Sequence, residues 1–367
     1  MPEPSENVTL PLAHLRVLDL SRVLAGPLCA MTLGDLGANV IKVERPGSGD
    51  ETRGWGPPFD DTGEAAYFLA INRNKRSIAL DLDAPGDQAV VRQLVAGAHV
   101  VIDNFRPGTL ERRGLGVRDL LTAHPSLLWC TITGFGLASP RPGYDFVVQA
   151  ESGWMAITGE PDGAPMKVGV ALADVIAGKD AAIALLAALA DQRPERSAAE
   201  RHLVVSLAHS ATAALVNVAQ NVAVTGADAG RWGNAHPNLA PYELFQAADR
   251  PLVIAVGTDP QWVACARALG LDELAEDPAL ATNAGRLAAR ERISATLATR
   301  CHTAPAAEWI QRLDAAGVPC GIVRSVREAL DVFGVAPLPP GRLRRPPPRL
   351  DADRAEILTA GWGDVPL

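Results

Sequence analysis

Hydrophobic and polar positions in the first half of the chain follow two alternating patterns. Short apolar runs at residues 16–20, 40–44, 77–82, 99–103 and 127–133 have the length of buried strands. Between them, residues 25–36 and 87–98 carry apolar side chains at helical spacing. Strands separated by helices of this length predict a mostly parallel sheet covered on both faces, which is an α/β fold.

The clearest helical segment is residues 174–192, where Ala, Leu and Ile dominate and no Gly or Pro follows Gly178 before the end of the helical pattern. It is apolar nearly all round, so we expect it deep inside the domain or at a subunit interface. Asp174 stands at its start. Asp is a preferred N-cap residue, so position alone favours a helix cap, with a nucleophile as the alternative.

The residue composition changes near residues 221–241, a loop rich in Gly, Asn and Pro that follows a helical pattern at 208–223. Strand patterns at 252–256 and 318–323 then enclose helical patterns at 260–269, 286–300 and 305–316. We therefore predict a Rossmann-like large domain of residues 1–205 and 330–367, and a linker helix with a smaller α/β domain at 206–329. The proline-rich residues 337–349 favour extended structure and a plain connector.

Composition narrows the class of protein. The 367 residues are 48% hydrophobic and 21% charged, with a net charge of −8, which argues against nonspecific nucleic-acid binding. The longest apolar stretch, residues 181–190, is about half of a membrane span, and residues 1–15 lack a signal-peptide pattern. We expect a cytoplasmic protein. Five widely spaced cysteines without a CxxC pair predict neither a metal site nor disulfides.

Candidate chemistry rests on carboxylates and arginines. The fingerprints of dinucleotide, nucleoside triphosphate, zinc-protease and serine-hydrolase sites are missing from the sequence, so the chemistry falls on a carboxylate. Cations cluster in the first third and are either a mixed-charge surface or the holders of an anionic ligand. They are Lys42, Arg45, Arg53, Arg73, Lys75, Arg76, Arg106, Arg112 and Arg113.

Six short blocks of sequence resemble, in order, the class III CoA-transferases, the CaiB/BaiF-like family of formyl-CoA and carnitine CoA-transferases. They are RVLAGP at 22–27, LGANVIKVER at 36–45, NRNKRS at 72–77, DNFRPG at 103–108, GYD at 143–145 and GNAHPN at 233–238. The similarity runs from about residue 12 to 330. It implies acyl-CoA and a carboxylic acid as substrates, no metal, no tightly bound cofactor and an interlocked homodimer.

The resemblance also assigns residues. Asp174 matches the family's nucleophile, and a helix N-terminus would keep such a carboxylate ionised. The CoA contacts of the family match Leu24, Ala25, Arg45, Leu80, Asn104, Phe105 and Arg112. Arg45 and Arg112 are the expected phosphate ligands, because Arg grips phosphate in two places at once. Tyr144 and His236 are expected in the substrate pocket.

The implied function is transfer of CoA between an acyl-CoA and a free acid through an aspartyl mixed anhydride and an aspartyl-CoA thioester. Residues 234–242 and 318–322 resemble the dicarboxylate branch, in which succinyl-CoA is a common donor. An α-methylacyl-CoA racemase is the first alternative, but those enzymes carry His in the block that reads Gly143-Tyr144-Asp145 here, and a phenol is a poor proton carrier near neutral pH. A non-catalytic CoA-binding protein is the second.

Overall fold

The computed structural model describes residues 9–363 apart from Gln192 and Pro194. It divides the chain into two compact units. The first consists of Met1–Met155, Lys167–Ala227 and Ala336–Leu367, and the second of Ala156–Met166 and Asp228–Val335. Each unit has its own hydrophobic core, so each is described separately.

A six-stranded parallel sheet is the centre of the first unit. Its strands are β1 (Arg16–Asp19), β2 (Asn39–Glu44), β3 (Lys75–Ala79), β4 (Val100–Asp103), β5 (Leu128–Thr133) and β6 (His202–Ser206). They are hydrogen-bonded in the order β3-β2-β1-β4-β5-β6. This is the strand order of dinucleotide-binding folds, so the predicted α/β, Rossmann-like architecture is confirmed. Ligands of such sheets bind beyond the carboxyl ends of the strands where the order reverses, here between β1 and β4.

Helices cover both faces of this sheet. The helices between residues 25 and 225 are α1 (Ala25–Asp35), α2 (Ala66–Ala70), α3 (Pro85–Gly97), α4 (Val117–Ala123), α5 (Asp145–Glu151), α6 (Trp154–Ile157), α7 (Leu172–Ala190), α8 (Ala198–Arg201), α9 (Leu207–Ala213) and α10 (Asn217–Thr225). Alternate strand residues enter opposite cores: Val17 packs with residues of α1, α7 and α9, whereas Leu18 packs with residues of α3 and α4.

Helix α7 lies against α1 at very short range. A Cβ atom on Gly178 would stand 2.6 Å from the carbonyl oxygen of Ala25, so only glycine permits this approach. Ala173, Ala177 and Ala181 continue the buried face of α7, each with a side chain of a single methyl group. The expectation that this helix is buried is met on that face, while Ile183 on another face is 64% exposed. The packing of α1 on α7 therefore fixes the position of the N-terminal end of α7 in the first unit.

The second unit is built on an antiparallel sheet of order β7-β8-β9, with β7 (Tyr242–Gln246), β8 (Pro251–Ala255) and β9 (Cys320–Ile322). Its helices are α11 (Asp259–Ala268), α12 (Asp272–Glu276), α13 (Asn283–Ala288), α14 (Arg290–Cys301), α15 (Ala306–Ala315) and α16 (Val326–Phe333). The segment predicted as one helix at 286–300 is thus divided into α13 and α14.

The unit boundaries differ from the predicted 206 and 330. Helix α9 belongs to the first unit because Leu207 and Ala211 are buried in the same core as the alanines of α7. Residues 156–166 instead belong to the second unit, where Arg231 donates hydrogen bonds to the carbonyls of Glu160 (3.0 Å) and Gly163 (2.7 Å). These contacts join residues far apart in sequence, which composition does not reveal.

The proline-rich tail returns to the first unit and ends in a helix that the sequence patterns did not predict, α17 (Arg354–Ala360). It covers strand β3, which is at the edge of the sheet. The side chain of Asp351 accepts the N–H of Ala79 (2.7 Å), and that of Asp353 accepts the N–H of Ser77 (2.8 Å). The tail is therefore part of the large unit rather than a plain connector. No helix in the described part of the chain is long and apolar enough to cross a membrane.

Candidate active site

A cleft of about 170 Å³ opens beyond the carboxyl ends of β1, β4 and β5. Three segments that follow these strands line it, together with the start of α7 and part of the loop before α5. The lining residues are Arg22, Val23, Leu24, Ala25, Asn104, Phe105, Arg106, Pro107, Ile132, Thr133, Gly134, Ser139, Arg141, Pro142, Gly143, Tyr144, Asp174 and Leu207. Asp174 therefore lies in one cleft with the predicted residues Leu24, Ala25, Asn104, Phe105 and Tyr144.

Asp174 does not cap helix α7. The helix begins at Leu172, and Asp174 occupies its first turn. The cap comes from another helix: Oδ1 of Asp145 accepts the N–H groups of Ala173 (2.8 Å) and Asp174 (3.3 Å). Among the described residues, no group donates a hydrogen bond to the Asp174 carboxylate. The cap interpretation of Asp174 is therefore wrong, and its carboxylate is free for another role.

The same arrangement sets the charge of Asp174. Burial, followed by the negative charge of Asp145, raises the pKa of the Asp174 carboxyl to about 7. The N-terminus of α7 favours the ionised form, as the sequence predicts, but burial beside a second carboxylate opposes that effect. Near neutral pH the carboxylate is thus partly ionised and poorly solvated, which are properties of an active-site nucleophile.

A second, smaller cleft of about 80 Å³ adjoins the first one. Arg22 and Phe105 line both, so the two clefts meet at these side chains. The predicted CoA contacts Arg45 and Leu80 line the second cleft, beyond the carboxyl ends of β2 and β3. Together the clefts form a groove that runs along the carboxyl edge of the sheet, suited to a long ligand with one reactive end.

The turn between β1 and α1 forms the wall between the clefts and is held by side chains. Asn104 accepts the N–H of Arg22 (2.9 Å) and donates to its carbonyl (2.6 Å). Val23 has φ = 70°, a left-handed conformation that is costly for a β-branched residue. Its N–H is bonded to both carboxylate oxygens of Asp50 at 3.3 Å. Asn104 therefore positions the turn, whatever it contacts in a ligand.

Most of the basic cluster serves the interior rather than a ligand. Lys42 pairs with Asp50 (3.0 Å) and Lys75 with Asp19 (2.8 Å), and all four side chains are fully buried. Arg53, Arg73 and Arg76 are likewise paired with carboxylates. These five cations therefore form neither a mixed-charge surface nor a phosphate-binding cluster, the two interpretations that the sequence offered. Arg45, Arg106, Arg112 and Arg113 are the members left near the clefts or on the surface.

Two predicted residues are not brought to the clefts. Arg112 is exposed, lines neither cleft and donates to Thr109 (3.3 Å), whereas its neighbour Arg113 lines the second cleft and pairs with Asp83. His236 belongs to the second unit, in the loop before β7, where its Nδ1 accepts the N–H of Asn238 (3.0 Å). No histidine is among the residues described as lining the Asp174 cleft.

Sequence reasoning missed Tyr67 in α2. Burial, with the charges of Asp174, Asp145 and Asp50, raises the pKa of its phenol to about 12. Tyr67 is therefore a neutral phenol near Asp174 at physiological pH, and its ring contacts Trp55 edge-on at 5.2 Å. The sequence offers one signal for Tyr67, its position five residues before the NRNKRS block. That position does not reveal that Tyr67 is near Asp174, more than 100 residues later in the chain.

Fold and cleft define a class: an α/β protein with a half-buried carboxylate, not paired with a cation, in a groove at the switch point of its sheet. The sequence profile of CoA-transferase family III matches residues 12–335. The chain is 42% identical over 326 residues to a succinate–glutarate CoA-transferase of Agrobacterium fabrum, covering 87% of this chain and 81% of that protein. It is 41% identical over 329 residues to a succinyl-CoA:glutarate CoA-transferase of Mus musculus, covering 89% and 74%.

A crystal structure of a CAIB/BAIF family protein from Brucella suis superposes on this chain with a TM-score of 0.84. The two are 38% identical, and the match covers 96% of this chain and 99% of that one. The chain belongs to CoA-transferase family III. The predicted family is confirmed, and the protein is a CoA-transferase with CoA thioesters as substrates.

Proposed function

We propose that this enzyme transfers CoA between an acyl-CoA and a free dicarboxylic acid, with Asp174 as the covalent nucleophile. The observation that carries the proposal is the Asp174 carboxylate, which is half-buried in the cleft with no hydrogen-bond donor of its own among the described residues. The names of the relatives, which pair succinate or succinyl-CoA with glutarate, support a dicarboxylate.

The chemistry balances without water or metal. The Asp174 carboxylate attacks the thioester carbonyl and the C–S bond breaks. CoA leaves as a thiolate, and the acyl group stays on Asp174 as a mixed anhydride. The thiolate attacks the Asp174 carbonyl of that anhydride, forming aspartyl-CoA and releasing the first acid. The acceptor carboxylate then attacks aspartyl-CoA, and the thiolate finally attacks the acceptor's acyl carbon, which regenerates Asp174. Poor solvation of the site favours these steps over hydrolysis of the anhydride.

CoA extends along the groove in this proposal. The thioester lies beside Leu24 and Ala25 in the first cleft, Phe105 lies where the clefts meet, and the nucleotide end reaches Leu80 and Arg45 in the second. Arg45 supplies a cation for phosphate, with Arg112 on the surface nearby as the second. Tyr144 lines the proposed acid pocket, and Tyr67, whose pKa is raised by the charge of Asp174, adds a neutral phenol there. The place of His236 in the acid pocket stays a prediction.

We also propose a cytoplasmic homodimer whose two chains interlock. Large apolar side chains are exposed on the first unit, among them Val216 at 70% and Val224 at 75% exposure, which supports a covered surface. The five free cysteines are compatible with a reducing compartment. Light scattering on the purified protein tests the dimer, since a monomeric mass at micromolar concentration contradicts it.

The function is tested by incubating the enzyme with succinyl-CoA and a panel of mono- and dicarboxylic acids. We expect new acyl-CoA thioesters with dicarboxylates, and a CoA adduct on the peptide that contains Asp174 in quenched samples. Asp174→Ala abolishes both. If new thioesters form undiminished in Asp174→Ala, Asp174 is not the nucleophile. If the enzyme instead scrambles the stereochemistry of a 2-methylacyl-CoA without exchanging CoA, it is a racemase.

A further inference from the structure

Three arginines line the cleft that contains Asp174, namely Arg22, Arg106 and Arg141. Two of them are held by carboxylates of the protein. Arg22 pairs with Glu51. Arg141 binds both carboxylate oxygens of Glu151 through its two terminal nitrogens. The positive charges of Arg22 and Arg141 are therefore largely compensated before any ligand enters.

Aromatic rings hold the same two side chains in place. The guanidinium of Arg22 lies 5.2 Å from the ring centre of Phe105, and that of Arg141 lies 4.4 Å from the ring centre of Phe135. Such stacking limits the rotation of an arginine and favours one orientation. Both residues are thus fixed parts of the cleft wall rather than free cations.

Arg106 differs from both. Within residues 9–363, leaving aside 192 and 194, its guanidinium has no hydrogen bond, ion pair or aromatic contact. Its backbone is fixed: the Arg106 carbonyl accepts the N–H of Thr109 (3.0 Å), and the N–H of Phe105 is bonded to the buried carboxylate of Asp103 (2.9 Å). A rigid corner after β4 therefore presents an uncompensated cation to the cleft.

Arg106 and Asp174 line the same cleft but are not paired with each other. Among the described residues, none of the three arginines that line the cleft forms a hydrogen bond or an ion pair with the Asp174 carboxylate. An acyl group bonded to Asp174 therefore enters a cleft whose wall carries the unpaired guanidinium of Arg106.

We propose that Arg106 binds the distal carboxylate of a dicarboxylic substrate while the other carboxyl group reacts at Asp174. This rests on the proposed function. A planar guanidinium matches a carboxylate with two parallel hydrogen bonds, and a free one does not have to break an existing pair first. Donor and acceptor acyl groups occupy the same covalent site in turn, so one arginine serves both halves of the reaction.

Matched substrates isolate the distal carboxylate. Succinyl-CoA and butyryl-CoA share CoA and chain length, as do glutarate and pentanoate among the acceptors, and each pair differs by one terminal carboxylate. For Arg106→Gln we expect kcat/KM to fall about 10- to 150-fold for the dicarboxylic member of each pair, the range for a lost charge-assisted hydrogen bond. The monocarboxylic members change less than about twofold, and Arg106→Lys restores part of the loss.

Arg118→Gln is the control, because Arg118 on α4 is another exposed arginine that lines neither cleft. It should leave all four substrates unaffected. Equal losses for both members of each pair in Arg106→Gln would overturn the proposal. In particular, an equal rise in KM for succinyl-CoA and butyryl-CoA would assign Arg106 to a phosphate of CoA instead.

A binding measurement separates this inference from the proposed function. Calorimetric titration of glutarate and of pentanoate into the CoA-saturated Asp174→Ala protein requires no turnover. Tighter binding of glutarate that disappears in the Asp174→Ala, Arg106→Gln double variant supports Arg106 even if the wild-type enzyme exchanges neither acid. Equal binding of glutarate with and without Arg106 contradicts it even if exchange is fast. Thermal unfolding midpoints verify that each variant is folded.

Discussion

Two aspartates of the first unit, the fully buried Asp19 and the half-buried Asp174, differ in what surrounds them. Asp19 at the end of β1 is fully buried between Lys75 (2.8 Å) and Lys42 (3.9 Å). Burial alone would raise the pKa of Asp19, but the two ammonium groups outweigh it and lower the pKa. The two lysines therefore favour the ionised form of Asp19 within an internal ionic network.

Asp174 has no cation beside it. Burial and the neighbouring carboxylate of Asp145 act in the same direction and raise its pKa to about 7. The comparison shows that burial by itself does not make a carboxylate reactive. A buried acid with cations around it stabilises structure, whereas one without them is destabilised as an anion and gains by forming a covalent bond.

The largest expected effect concerns chemistry. Asp174→Ala should lower kcat for CoA transfer by about 10⁴-fold or more, because a covalent nucleophile has no substitute in the cleft. The appearance of radiolabel from labelled succinate in succinyl-CoA measures the loss. Binding of CoA should be retained, and a variant that loses CoA binding to the same degree would point to a collapsed site instead.

Stability should change in opposite directions at the two aspartates. Asp19→Asn leaves Lys75 buried without its carboxylate partner, while Lys42 keeps Asp50, and should destabilise the protein by about 3–5 kcal/mol. Denaturant unfolding at pH 8 measures the change. A loss below about 1 kcal/mol would mean that water or Asp50 compensates the lysines.

Asp174→Asn should stabilise the protein at pH 8 by about 1–3 kcal/mol, allowing for partial exposure. Between pH 3.8 and about 7 the folded state holds a proton that the unfolded chain has released, so the wild-type free energy of unfolding falls as pH rises through this window. The advantage of the variant should therefore fade toward pH 4. A constant difference across this range would contradict the raised pKa.

Gly178→Ala tests the packing that positions Asp174. The added Cβ meets the carbonyl oxygen of Ala25 at 2.6 Å, so α7 must move away from α1. We expect a loss of stability of about 1–3 kcal/mol together with lower kcat. Ala177→Gly, one residue earlier on the same helix, is the control because it lowers helix propensity without a clash. If both variants lose kcat equally, the close approach is not what matters.

The smallest effect is a shift in pH dependence. The logarithm of kcat/KM should fall with unit slope below about pH 7 and level off above it, since the ionised form of Asp174 attacks. Asp145→Asn removes the neighbouring negative charge but retains an oxygen to accept the N–H of Ala173. The midpoint should move to lower pH. An unchanged midpoint would leave burial as the sole cause of the raised pKa.

Hydrophobic periodicity predicted β1, β2, β4, β5, α1, α3 and α7 to within a few residues because each has a regular apolar face. Strand β3 was placed two residues late: Lys75 and Arg76 look like surface residues, yet both are buried in ion pairs. Strand β6 was missed because it is short, half-exposed and at a sheet edge. Charged residues that are neutralised inside the protein are invisible to a hydropathy pattern.

The residues of the candidate site also divide into those that the sequence predicted and those that it did not. Asp174, Leu24, Ala25, Asn104, Phe105 and Tyr144 were brought together because the blocks that contain them lie at strand and helix ends. The cap from Asp145 and the proximity of Tyr67 to Asp174 were not predictable. Both depend on tertiary contacts between segments with no shared pattern, and the same is true of the corner that leaves Arg106 without a partner.

The tail has a consequence for the synthesis of the protein. Ala79 receives its hydrogen-bond acceptor from Asp351, 272 residues later in the chain. At ribosomal rates of about 5–20 residues per second, Asp351 is synthesised on the order of tens of seconds after β3. Until then the N–H groups of Ser77 and Ala79 lack their acceptors from the tail. During that time β3 is an open edge on which a strand of another nascent chain can pair. Ribosome-bound chains ending before residue 350 should therefore co-aggregate, and supplying residues 336–363 as a separate peptide should suppress it.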